Sequence, residues 1–226
     1  MTGALGQIYW LLWKDLVLEA RRRDNLLSMF FFGLSLLFLF SFAFEISSEN
    51  VSRMAPGLLW LAFMFSGTLA LNQLFQGDRE NDCLDALLLA PLDRGAYYLA
   101  KVFFNFSLMF LLELCILPLF GILFRLDFWH LLPNVLLYTL LGTLGFSVVG
   151  VLFAAVTLRA RARALLLPVL LFPLMIPVIL GTVRTLQIIL GAGTAAELVP
   201  WFRLLVGFDL IFITAGFLLL EWVLDG

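Results

Sequence analysis

The sequence has few charged residues for its length. Only 13% of its 226 residues are charged, whereas 63% are hydrophobic, and the mean hydropathy is +1.06. A soluble domain of this size is about half apolar and about one quarter charged, because its surface faces water. The composition therefore excludes an ordinary soluble domain and predicts that lipid solvates much of the surface. The net charge of −2 leaves no basic region that would bind nucleic acid.

Residues that carry catalytic, metal or nucleotide chemistry are also scarce. His130 is the single histidine, so neither an HExxH motif nor a site with two histidine ligands can form. Neither lysine, Lys14 or Lys101, follows a glycine, and the P-loop pattern is absent. Cys83 and Cys115 lie in different segments without a CxxC motif, which argues against a disulfide framework and covalent haem attachment. We expect no catalytic residue, bound cofactor or metal, and any ATP hydrolysis would need a separate subunit.

Long apolar runs are abundant. A helix needs about 20 apolar residues to cross a hydrocarbon core of about 30 Å. Residues 41–43 resemble a signal-peptide cleavage site, but the apolar run before them is too long and follows 25 patterned residues, so an uncleaved span is predicted. The sequence thus predicts an all-α membrane protein with one domain over residues 1–226. Its six predicted spans are residues 26–44, 57–76, 102–124, 134–157, 164–183 and 204–222.

The distribution of basic residues predicts the orientation. If the N-terminus is cytoplasmic, ten of the fourteen Lys and Arg residues fall in cytoplasmic segments and four fall outside. Cytoplasmic loops carry such an excess, so both termini are expected in the cytoplasm. Trp60, Trp129 and Trp201 would then lie near the outer boundary, where tryptophans are enriched.

Residues 4–23 predict an amphipathic helix at the cytoplasmic interface. Leucines recur there at helical spacing, while Gln7, Lys14 and Asp15 gather on the other side. Such a helix buries its apolar side in the acyl boundary and turns its arginines toward lipid phosphates. The predicted lipid anchors are Trp10, Trp13, Arg21, Arg22 and Arg23.

Two further segments depart from plain spans. Pro168, Pro173 and Pro177 predict that the fifth span is kinked or locally unwound. Such a helix could act as a hinge, or it could be an ordinary membrane helix, since these tolerate proline. Residues 184–203 are moderately apolar and broken by glycine, which is compatible with a re-entrant outer segment.

Three polar residues in or beside the spans invite a functional interpretation. Glu113 lies near the middle of the third span, where a carboxylate usually faces the bundle interior, and a functional site and internal packing explain it equally well. His130 could ligate haem iron, although a lone interfacial histidine more often anchors at the headgroups. Asp209 could pair with Arg203 or with the segment 184–203, in a structural role.

The most informative segment is the predicted cytoplasmic loop between the second and third spans. Its acidic start suits a helix N-terminus, a leucine stripe follows, and Pro91 ends the run. This pattern predicts a short amphipathic helix over residues 77–91, which could be a plain connection or a docking face for a soluble partner. Its candidate docking residues are Asp78, Glu80, Asp82, Leu84, Asp85, Leu87, Leu88 and Pro91.

This loop resembles the coupling helix of ABC-2-type exporter permeases, and the whole chain is similar to the haem exporter protein B (CcmB) family among them. The resemblance rests on residues 53–60, Leu74 and Phe75, residues 84–91, Ala100 and Lys101, the basic turn 158–163 and the proline-rich fifth span. Two residues depart from the family pattern: Glu113 inherits no family role, and Cys83 stands where these loops commonly have glycine.

The resemblance implies a permease subunit of the bacterial inner membrane in cytochrome c maturation. It implies an ATPase subunit, itself dimeric, that docks on the coupling helix, a haem-handling membrane protein, a second copy of this chain, and haem as the cargo of the system. The alternatives are an ABC-2 permease for a lipid, glycan or drug and, less favoured, a secondary transporter, which would carry paired ionisable residues at the midplane. A membrane enzyme is the least favoured alternative.

Overall fold

The computed structural model describes residues 3–43, 51–75, 93–126, 129–158, 160, 162–191 and 193–225. All regular secondary structure in these ranges is helical, as the sequence predicts. The α-helices are α1 (Ala4–Arg22), α2 (Asp24–Ala43), α3 (Val51–Gln73), α4 (Arg94–Leu123), α5 (Leu132–Val156), α6 (Arg163–Leu190) and α7 (Ala195–Asp225), with a short 3-10 helix, Trp129–Leu131, before α5. Six of them, α2 to α7, are long and apolar enough to cross a membrane, which confirms the predicted number of spans.

Helix α5 lies at the centre of the bundle. It packs against α3, α4, α6 and α7, and small residues allow these close approaches. A Cβ atom added at Gly142 would overlap the side chains of Trp60 and Thr182, and one at Gly150 would press on Leu71. Trp60 is only 1% exposed and faces the bundle interior rather than lipid; the glycine opposite opens an interior space that the indole fills.

Helix α1 is joined to α2 by a one-residue turn. Arg23 adopts a left-handed conformation with φ 57°, and its N–H donates to the Glu19 carbonyl oxygen at 2.6 Å. The Glu19 side chain accepts from the backbone N–H of Leu26 at 2.9 Å and so satisfies a donor in the first turn of α2. This turn sends α1 back against α4.

The two unusual segments are more regular than the sequence suggested. Helix α6 continues from Arg163 to Leu190 through all three prolines, so no local unwinding is seen. Neighbouring helices and polar side chains can satisfy the carbonyls that a proline frees in a membrane helix, which lets the helix continue. A separate re-entrant segment at 184–203 is likewise not confirmed, because residues 184–190 complete α6 and residues 195–203 belong to the start of α7.

Candidate functional site

A buried ion pair joins α1 to α4 at one end of the bundle. The Lys101 ammonium donates to Asp15 Oδ2 at 2.8 Å, and the two side chains are only 3% and 8% exposed. Lys14 Nζ also lies 3.3 Å from Asp15 Oδ1, but its side chain is 40% exposed. Removing either member of a buried pair leaves an uncompensated charge, so this contact fixes α1 on α4. Asp15 therefore does not face lipid headgroups with the rest of the polar side of α1.

Two aromatic rings complete the surroundings of Lys101. Its Nζ lies 5.6 Å from the centroid of the Phe75 ring and 5.5 Å from that of Tyr97. The guanidinium of Arg163, in the first turn of α6, lies 5.9 Å from the same Phe75 ring, and its Nη2 donates to the Leu71 carbonyl oxygen at 3.1 Å. The faces of aromatic rings attract cations, so the Phe75 ring contacts two positive groups from two helices.

These contacts hold both ends of the chain segment from 76 to 92. Phe75 immediately precedes the segment, and Asp93 immediately follows it as the N-cap of α4, where its side chain accepts from the Ala96 N–H at 3.2 Å. The Asp93 backbone N–H donates to Gln7 Oε1 of α1 at 3.0 Å. These contacts thus connect the entry and exit of this segment to α1, α4 and α6. We call the residues that make them the base cluster: Gln7, Asp15, Phe75, Asp93, Tyr97, Lys101 and Arg163.

The predicted coupling helix itself, residues 77–91, lies outside the described residues. Its candidate docking residues Asp78, Glu80, Asp82, Leu84, Asp85, Leu87, Leu88 and Pro91 therefore remain predictions. The pairing of Lys101 with Asp15 was not predicted from the sequence, which offers only a weak signal for it: an acidic residue on the polar side of an amphipathic helix.

A second group of polar residues lies inside the bundle between α4 and α5. Glu113 is fully buried, and the Thr143 hydroxyl of α5 donates to its Oε1. Its Oε2 has no partner among the described residues. Two turns along α4, Asn105 Nδ2 donates to Ser147 Oγ at 3.0 Å. Thr143 and Ser147 are small residues of the central helix α5 and serve here in polar contacts with α4.

Asp209 does not pair with Arg203. It lies near the middle of α7, is 3% exposed, and neither carboxylate oxygen has a hydrogen-bond partner among the described residues. A Cβ at Gly145 would lie 2.7 Å from Oδ1, so the absence of a side chain there makes room for the carboxylate. Residues six apart lie on different faces of a helix, which explains why Arg203, an exposed residue, is out of reach.

The remaining predicted residues lie at the surface. Trp10 and Trp13 are 62% and 52% exposed and Arg21 and Arg22 are exposed, positions compatible with the predicted lipid contacts. His130 is exposed in the 3-10 helix. Within the described ranges, no three His, Cys, Asp or Glu side chains gather as a metal site would require.

Comparison with known proteins finds similarity along nearly the whole chain. A family model described as CcmB protein matches residues 7–218. Heme exporter protein B of Pseudomonas aeruginosa is 32% identical over 170 residues, which are 75% of this chain and 76% of that protein. The protein of the same name from Haemophilus influenzae is 30% identical over 177 residues, covering 77% and 78% of the two chains. That of Paracoccus denitrificans is 33% identical over 176 residues, covering 75% and 78%. The family match begins in α1 and ends in α7, so it includes the base cluster.

Proposed function

This chain belongs to the CcmB protein family, and we propose from that membership that it is the permease subunit of an ABC transporter in cytochrome c maturation. Its relatives are named as haem exporters, and its six apolar helices make it an integral membrane protein. In our proposal an ATPase subunit hydrolyses ATP, and the work serves haem handling or the release of a haem-loaded chaperone outside the membrane. This chain then supplies neither catalytic residues nor a nucleotide site.

The observation that carries the coupling proposal is the base cluster. A partner that moved residues 77–91 would pull on Phe75 at one end and on Asp93 at the other. Phe75 contacts Lys101 and Arg163, while Asp93 is bonded to Gln7 and caps α4. The displacement would therefore reach α1, α4 and α6 together. A loop without such contacts at its ends could move without affecting the bundle.

The orientation and the other partners complete the proposal. The structure gathers Lys101 and Arg163 at one end of the bundle and Arg53 and Arg184 at the other, in agreement with the division of basic residues in the sequence. We place the first end, with both termini, in the cytoplasm of a bacterium whose inner membrane contains the complex. A dimeric ATPase, two copies of this chain and a haem-handling membrane protein would form the assembly.

The test is retention of the ATPase during purification of the complex from membranes. Leu87→Asp would bury an unpaired carboxylate in the docking contact, which is expected to weaken it by several kcal/mol, and cytochrome c maturation should be lost in cells. Asp82→Ala is the matched control in the same segment and should be milder, because it removes only a capping or solvated charge. Retention of the ATPase and full maturation by Leu87→Asp, at equal membrane expression, would refute docking at this segment.

A permease for a lipid, glycan or drug would use the same coupling but another cargo. The genes that neighbour this one distinguish the two: cytochrome c maturation genes support the haem system, and glycan-assembly genes support the alternative. The names of the relatives favour the first.

A further inference from the structure

A cavity of about 910 Å³ lies at the end of the bundle opposite the base cluster. Its walls come from the first turn of α3, the last turns of α6 and the first turns of α7. The side chains that line it are Arg53, Arg184, Gln187, Ile188, Glu197 and Trp201. Small-molecule sites in proteins have volumes of roughly 300–1,000 Å³, so the cavity is large enough for an organic ligand.

The side chain of Gln187 contacts both arginine residues that line this cavity. Gln187 Nε2 donates to the backbone carbonyl of Arg53 at 2.6 Å, which ties the end of α6 to the start of α3. Arg184 Nη1 donates to Gln187 Oε1 at 3.3 Å, so a single glutamine side chain links the two arginine residues. Among the residues that the structure describes, neither guanidinium has a carboxylate within ion-pair distance. Two positive groups thus line one cavity without an anionic partner in that part of the chain.

Glu197, the acidic residue that lines the cavity, is hydrogen-bonded to Thr194. Glu197 Oε1 accepts from the Thr194 hydroxyl at 2.8 Å and from the Thr194 backbone N–H at 3.2 Å. This arrangement caps the start of α7, as the glutamate of a capping box does. The carboxylate serves the helix start, and the two arginines outnumber it in the cavity.

Apolar surface completes the cavity. The Trp201 indole is half-buried one helical turn after Glu197, and Ile188 is half-buried on α6. Cationic donors next to an aromatic face and an aliphatic side chain suit a ligand that joins an anionic group to an apolar body. We propose that this cavity binds an amphipathic anion through Arg53 and Arg184, with the apolar part of the ligand against Trp201 and Ile188.

Two sources supply this chemistry. One is haem, a planar tetrapyrrole with carboxylate side chains. We consider haem because of the proposed function, on which this part of the inference rests. The other is an anionic phospholipid, whose phosphate would meet the arginines while its chains run along the bundle. The site itself is defined by the shared requirement for a carboxylate or phosphate on an apolar body.

The experiment uses the full chain in lipid nanodiscs. Haemin is titrated into discs of neutral phosphatidylcholine, and its binding is followed by its visible absorption. The dimethyl ester of the same porphyrin, which lacks free carboxylates, is titrated beside it. In a second arm, the chain is purified from discs that contain phosphatidylglycerol, and retained lipid is counted by native mass spectrometry. The variants are Arg53→Gln and Arg184→Gln, with Arg184→Lys as the charge-retaining variant. Arg203→Gln is the control, because it removes an exposed arginine at the same end that does not line the cavity.

Each glutamine variant is expected to weaken binding about three- to ten-fold, as loss of one partly exposed charged contact does. Arg184→Lys should recover most of the affinity, and Arg203→Gln should bind as the parent chain does. If the losses appear with haemin and not with its ester, the ligand is the tetrapyrrole; if they appear only in retained phosphatidylglycerol, it is the lipid. Both results support an amphipathic anion site.

Equal binding of every probe by the parent chain and by the double variant Arg53→Gln, Arg184→Gln would overturn the proposal. Helical content and monodispersity are recorded for each variant, so that a misfolded protein is recognised. If a glutamine variant misfolds, the binding of Arg184→Lys is compared with that of the parent chain instead. This outcome is independent of ATPase docking. The Leu87→Asp experiment can support docking while the cavity binds none of the probes, and the cavity can bind a probe while that experiment refutes docking.

Discussion

Substitutions of Asp15 and Lys101 should have strongly non-additive effects on the free energy of unfolding, because the two side chains form a buried ion pair. Asp15→Leu leaves the buried Lys101 ammonium without its carboxylate, and breaking a buried pair in this way costs about 3–5 kcal/mol. The Phe75 and Tyr97 rings contact the ammonium both before and after the change, so they do not offset the loss.

Lys101→Met should be less severe. Asp15 keeps Lys14 at 3.3 Å, and because this lysine is partly exposed to solvent, the pair contributes up to about 1 kcal/mol. The expected cost is therefore about 2–4 kcal/mol. The double variant Asp15→Leu, Lys101→Met replaces both charges by apolar groups, a change that is often close to neutral. The free energy of unfolding of this double variant should be close to that of the parent chain. Its loss of stability should therefore be much smaller than the sum of the two single losses.

The assay is reversible unfolding of the purified chain in mixed micelles of a mild detergent and sodium dodecyl sulfate, with helical circular dichroism as the signal. Lys14→Met serves as the control and should change the free energy of unfolding by less than about 1 kcal/mol, because this lysine is partly exposed. Additive losses in the double variant, or single losses below about 0.5 kcal/mol, would show that the contact does not fix α1 on α4.

Three further predictions concern topology and packing. Single cysteines at Asn50 and Glu80, in a chain without its native cysteines, should react with an impermeant reagent from opposite sides of the membrane, and equal labelling from outside would contradict the orientation. Glu113→Gln keeps the acceptor for its hydrogen bond and should unfold within about 1 kcal/mol of the parent, whereas Glu113→Lys should fail to accumulate in membranes. Gly142→Ala should destabilise by about 1–3 kcal/mol through overpacking, while Gly207→Ala, whose added methyl group meets no neighbour within 4 Å, should be neutral.

The spans could be predicted because lipid imposes a simple requirement on each segment by itself. Length and hydropathy gave the number of membrane helices, but not where they end. Helix α4 begins at Arg94, eight residues before the apolar run that predicted it. Its first turns carry Tyr97 and Tyr98, which bury their rings in the bundle although they add little to the apolar character of the sequence.

The candidate sites were harder to predict because they join distant parts of the chain. Asp15 and Lys101 are 86 residues apart, and the Arg53 carbonyl is bonded to Gln187 across 134 residues. Helical periodicity assigns a side chain to a face but does not say which helix covers that face. Asp209 shows the same limit: the sequence suggested a partner nearby in the chain, whereas the space around it is set by a glycine of α5.

The order in which the ribosome makes the two members of the Lys101–Asp15 pair affects how the protein is assembled. At about 5–20 residues per second, synthesis of the intervening 86 residues takes roughly 4–17 s. During that time α2 and α3 are already available to insert, while α1 has no lysine of α4 to receive its aspartate. We therefore expect the first helix to be made to be one of the later ones to dock, because its buried contact with α4 cannot form before Lys101 has been synthesised. Attachment of α1 would then report that α4 has brought Lys101 within reach of Asp15.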